Sequence, residues 1–132
     1  MARLIALCSV LMLALAAQVA VSDTRETPRR FNLQIDEQKV FEQQSNGDVD
    51  MTPLKKLRVI EGDQVELHWL SIEPVELHLH GYDIELMVEP GLTAVMRFKA
   101  RATGRFPVTT HGSSGHGGGH HNTLLYFEVY PK

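Results

Sequence analysis

The run VELHLHGYDIELMVEPG, residues 75–91, decides how the chain is read. Leucines and histidines alternate through Leu77, His78, Leu79 and His80, the period of an extended strand with one buried face. On such a strand Leu77 and Leu79 turn one way, while His78 and His80 project together from the other. Two imidazoles side by side on a rigid element make half of a metal site. The plainer alternative is one histidine hydrogen-bonded near the core and one at the surface. Pro90-Gly91 closes the run as a turn.

The flanking segments keep the same period. Upstream, KKLRVIEGDQVELHWLS gives two extended runs, Leu57 to Ile60 and Val65 to Leu70, around the turn Glu61-Gly62-Asp63. Val65, Leu67 and Trp69 share one face, which predicts that His68 faces away from the core and serves at the surface. FNLQID alternates at Phe31, Leu33 and Ile35. QKVFEQQSNGDVDMTP is polar with an Asn46-Gly47 turn signal, and a short helix is expected within Asp36 to Gln44. Downstream, LTAVMRFKA, RFPVTT and LLYFEVYP supply further strands. Short strands separated by Gly- and Pro-bearing turns predict an all-β sandwich or barrel.

The chain has 132 residues, a net charge of −3 and one cysteine, Cys8. It opens with one cation, Arg3, an apolar run from Leu4 to about Ala17 and then small residues, the layout of a secretory signal peptide with cleavage after Ala16, Ala20 or Ser22. The run is shorter than the ~20 residues of a spanning helix, so the mature form is not expected to cross a membrane. Lipidation of Cys8 is disfavoured, because the large Leu7 precedes it. The expected organisation is a signal peptide over 1–22, a flexible arm over 23–30 and one domain over 31–132. Export, to the periplasm, leaves a mature chain with neither disulfide nor thiolate. The weak acidic balance argues against a nucleic-acid partner.

The ordered motifs VIEGDQVELHW, HGYDIELMVEPG, MRFKARATGRFPV and LLYFEVYP resemble those of cupredoxins, the blue-copper Greek-key β-sandwich, over about Leu57 to Pro131. The resemblance implies that fold, and it places His80 at the family's first copper histidine. The paired histidines of HLHG also resemble those of multicopper oxidases. The chain then departs from the pattern: the cysteine position falls on Thr110, and the methionine that often closes the ligand loop is absent. A blue-copper centre requires the thiolate, so the usual electron-carrier role is not expected.

An all-nitrogen set remains. His111 follows Thr110 directly, so His80 and His111, then His78, are the expected rigid ligands. Cu²⁺ is favoured by the divalent affinity order and by the resemblance, with zinc as the alternative. The stretch THGSSGHGGGHHN, residues 110–122, adds His116, His120 and His121 as accessory ligands. Fixing such glycine-rich chain costs on the order of 1–2 kcal/mol per residue, and its alternative is a loop of solvated histidines. Met51, Met87 and Met96 are core residues or soft ligands, and Glu76 and Asp83 are candidates for orienting an imidazole. Ser113 and Ser114 lack the rigid elbow of a hydrolase nucleophile.

Three functions follow in order of expectation. The first is an exported copper-binding protein of storage, delivery or resistance, with another exported copper protein as its partner. The second is a metal-free accessory module of an exported complex. The third is a redox protein with an open all-histidine copper.

Overall fold

The computed structural model describes residues 27–111 and 121–132 of the protein. They form nine strands: β1 (Arg29–Asp36), β2 (Lys39–Glu42), β3 (Lys56–Ile60), β4 (Gln64–Ser71), β5 (Val75–Leu79), β6 (Ile84–Val88), β7 (Ala94–Lys99), β8 (Gly104–His111) and β9 (His121–Tyr130). They make two sheets, one of order β2-β1-β4-β7 and one of order β3-β9-β8-β5-β6. The pairs β1/β4 and β3/β9 are parallel, and the other pairs are antiparallel. This is an all-β sandwich, as the alternating segments predict, with the cupredoxin-like arrangement that the motif resemblance implies. No helix of the described residues is long and apolar enough to cross a membrane.

Alternation builds the core between the sheets. In β4 the buried apolar positions are Val65, Leu67 and Trp69, and from the facing sheet Leu77, Leu79, Val108 and Phe127 join them in the core, all with no more than 1% of their surface exposed. The Trp69 indole N–H finds no acceptor among the described residues. Leaving such a donor unpaired costs about 1–3 kcal/mol, which burial of so large a ring offsets at roughly 25 cal/mol per Å².

Two expectations are corrected. No helix forms within Asp36 to Gln44: Glu37 and Gln38 both take positive φ, 42° and 62°, and turn the chain into the β1–β2 hairpin. Consecutive positive φ values are the signature of a tight hairpin turn, and Val40, 1% exposed, is then buried as a strand residue. Arg29 and Arg30 belong to β1 and not to an arm, because the parallel ladder with β4 begins at Arg29↔Val65. Residues 23–26 of the expected arm, like the expected signal peptide over 1–22, lie outside the described residues.

Glu66 ties the outer face of the first sheet together. Its carboxylate receives the Nε–H of Arg97 at 3.0 Å and that of Arg30 at 3.1 Å, and it lies 3.0 Å from His68 Nε2. Three partners thus join β1, β4 and β7, and His68 faces outward as its alternation predicts. The bond to His68 first, then those to Arg97 and Arg30, hold the carboxyl at about 2, down from 4.5.

The second sheet carries the turn that matters most. Gly81 has φ of 80°, and a Cβ there would stand 2.8 Å from Cε1 of the Phe106 ring. Tyr82, 6% exposed, packs edge-on against Phe106 with centroids 5.0 Å apart. Its hydroxyl donates to the Ala102 carbonyl at 3.1 Å and accepts the Ala102 N–H at 3.3 Å. The β5–β6 turn is thereby fastened to the β7–β8 connection, and His80 sits where it enters.

Two outcomes check this account. Gly81→Ala should destabilise the protein by at least about 1–2 kcal/mol from the left-handed backbone alone, with the Phe106 clash added. Gly47→Ala, with φ of 90° and nothing within 4 Å, should cost less in the same denaturant titration. Because folding depresses the Glu66 pKa, its stabilisation is present above about 4.5 and is lost as pH falls towards about 2. Thermal melts over that window should fall more steeply for the wild type than for Glu66→Gln, and parallel curves would contradict the Glu66 assignment.

Candidate metal-binding face

β5 carries His78 outward because Leu77 and Leu79, both 0% exposed, are held in the core. His80 follows the strand's last residue, and its backbone N–H donates to the Pro107 carbonyl of β8 at 3.1 Å. This bond prolongs the pairing by one step and brings the second imidazole over the first. The ring centroids of His78 and His80 are 4.0 Å apart, at an interplanar angle of 35°.

His111 ends β8, exposed, with Glu76 as its register partner on β5 and His121 on β9. Its ring stacks with that of His78 at a centroid distance of 6.1 Å and an angle of 18°. The three expected rigid ligands therefore share the outer face of the five-stranded sheet, with His78 in the middle. His121 is placed by backbone register alone, and His116 and His120 lie outside the described residues. Thr110, at the position where the resemblance would put a cysteine, is 6% exposed and pairs with buried Leu77, so it lies on the core side.

Two neighbours orient the pair. His80 Nε2 lies 2.9 Å from Thr109 Oγ1, and Thr109 is itself only 4% exposed. His78 Nε2 lies 3.7 Å from Asp83 Oδ1, a carboxylate 99% exposed, so solvent screens that contact heavily. Thr109 was not apparent from sequence, because it stands opposite outward His78 between core-facing Val108 and Thr110, and alternation alone would leave it at the surface, yet it is only 4% exposed and lies against His80.

The donor types suit an imidazole-bound divalent ion and do not suit a thiolate centre, since no cysteine lies among the described residues. Among the described residues no group of three or more His, Cys, Asp or Glu side chains is close enough to hold a metal as it stands. The arrangement is a close pair of imidazoles with a third ring 6.1 Å from that of His78. A cavity of about 550 Å³ is lined by His111 together with Ile35, Glu37, Ser71 and Pro74. It contains neither His78 nor His80.

No protein-family model matches the chain, and no characterised relative matches it in sequence. Solved structures do match it in shape. A chain of a heme-copper terminal oxidase dimer determined by cryo-EM superimposes with a TM-score of 0.57 at 21% identity, over 81% of this chain and 68% of that one. A multicopper oxidase gives 0.55 at 20% identity, over 80% and 40%. The copper nitrite reductase of Nitrosomonas europaea gives 0.52 at 16% identity, over 80% and 42%. The chain thus spans about two fifths of the latter two. The protein is defined by these matches as a cupredoxin-fold domain, divergent in sequence from each of them.

If Thr109 positions His80 for a metal, Thr109→Val, which preserves shape and removes the hydroxyl, should weaken Cu(II) binding by about tenfold or more. A competitive titration that finds wild-type affinity in this variant would remove Thr109 from the site.

Proposed function

We propose that the protein is an exported, periplasmic cupredoxin-like copper-binding protein that holds Cu(II) through imidazoles and works in copper storage, delivery or resistance. The observation that carries this reading is the pairing of His78 and His80 at 4.0 Å with His111 stacked at 6.1 Å on the same sheet face. Holding imidazoles so close together on an outer face gains little for the fold, whereas it pre-pays the ordering of a nitrogen-donor set. The structural neighbours, described as copper enzymes, support the choice of metal over zinc.

Each residue has a part. His80 is fixed by Thr109 and by its own backbone bond to β8, so it is the anchor. His78 lies against it, and exposed His111 completes the set by a change of rotamer that moves no backbone. His116, His120 and His121, carried by the glycine-rich stretch, act as accessory ligands. Bound Cu(II) would supply an ion for transfer to another exported copper protein by ligand exchange, a role that an open set of neutral ligands permits.

The rival reading, a metal-free interaction module, has one observation in its favour: the described residues do not close a three-ligand set on their own. The double variant His80→Ala/His111→Ala separates the two. Under the copper reading the wild type holds one copper tightly and the double variant loses it, by metal analysis after dialysis against a weak chelator. Weak wild-type binding that the double variant leaves unchanged would overturn the copper reading in favour of the module.

A further inference from the structure

The histidine face carries a second kind of donor. Glu76 on β5 has Met87 of β6 as its register partner on one side and His111 of β8 on the other. The next row outward along the strands is Glu85, His78 and Thr109. Met87 and His111 are therefore both diagonal neighbours of His78, at the separation of about 7–8 Å that long side chains span across a sheet.

Met87 is 50% exposed, whereas Met96 on β7 is 1% exposed and fills the core. On β6 the exposed positions are Glu85 and Met87, and Val88 is buried, so Met87 stands on the face that carries His78. An exposed apolar side chain on an edge strand is unfavourable for solubility and contributes little packing. Its thioether, however, is a soft donor on three rotatable bonds.

We propose that Met87 is the soft ligand by which this face also holds Cu(I), together with His78 and His111. The inference rests on the histidine reading above and extends it to the reduced ion. Thioether sulfur selects Cu(I), while imidazole accepts either oxidation state. One surface with both donor types accommodates copper whichever way the surroundings poise it. The position is not the one the cupredoxin resemblance assigns to a methionine, which would follow His111 in the ligand loop. It comes from the β5–β6 register.

The test is a Cu(I) titration of the purified protein under reductant against a chromophoric Cu(I) chelator, run beside a Cu(II) titration, for wild type, Met87→Leu and Met51→Leu. Met51, 77% exposed between β2 and β3, is the control methionine. Met87→Leu should weaken Cu(I) binding at least tenfold, change Cu(II) binding less than twofold and remove a sulfur scatterer from the X-ray absorption of the Cu(I) form. Met51→Leu should do none of these. Unchanged Cu(I) affinity in Met87→Leu, or equal losses for both ions, overturns the Met87 assignment. A wild type that binds Cu(II) but not Cu(I) overturns it too and leaves the histidine reading standing, whereas a wild type that binds neither ion overturns both.

Discussion

The pairing of β5 with β8, fixed by burial of Leu77 and Leu79, is the constraint on which the candidate site depends. Side chains alternate strictly along a strand, so a slip of one residue would drive His78 and His80 into the core and expose two leucines. Full burial of a leucine is worth about 1.5–3 kcal/mol, and an imidazole buried without partners would add a desolvation cost. Register here is therefore strongly specified, and the histidine face follows from it. The Gly81 turn and the Tyr82–Ala102 hydrogen bonds then fix where the strand stops.

The fold is the one used by the copper proteins that the chain superimposes on, but the chemistry it can offer differs. Among the described residues no cysteine offers the thiolate whose bond to the metal shapes a blue-copper centre, and Thr110 stands where the resemblance puts it. Imidazoles on an outer sheet face would make a site whose ligands reorient by side-chain rotation, because the backbone beneath them is locked by ladder hydrogen bonds on both sides. Such a site favours exchange over tight geometric control. That property agrees with handling copper as cargo more than with carrying electrons.

Much of this was legible in the sequence because burial is written as a period of two. Val65, Leu67 and Trp69, and again Leu77 and Leu79, declare their face without any knowledge of their neighbours, and His68, His78 and His80 are thereby turned outward. What stayed hidden depended on partners distant in the chain. The grouping of His111 with His78 and His80 came from the family resemblance and not from periodicity, and the role of Thr109 requires the β5–β8 register that sets it opposite His78. The β1–β2 hairpin was misread as a helix because the polar stretch after Ile35 carries few apolar markers, and its turn uses Glu37 and Gln38 at positive φ where glycine or asparagine would ordinarily signal it.

The most direct test of the central claim, that the metal belongs to the outer face of the five-stranded sheet, is nuclear magnetic resonance of the histidine rings during addition of substoichiometric Cu(II). Paramagnetic broadening should remove the His78, His80 and His111 ring signals first and leave His68, on the outer face of the other sheet, intact. Loss of the His116 and His120 signals alone, or loss of His68 together with the rest, would contradict the account.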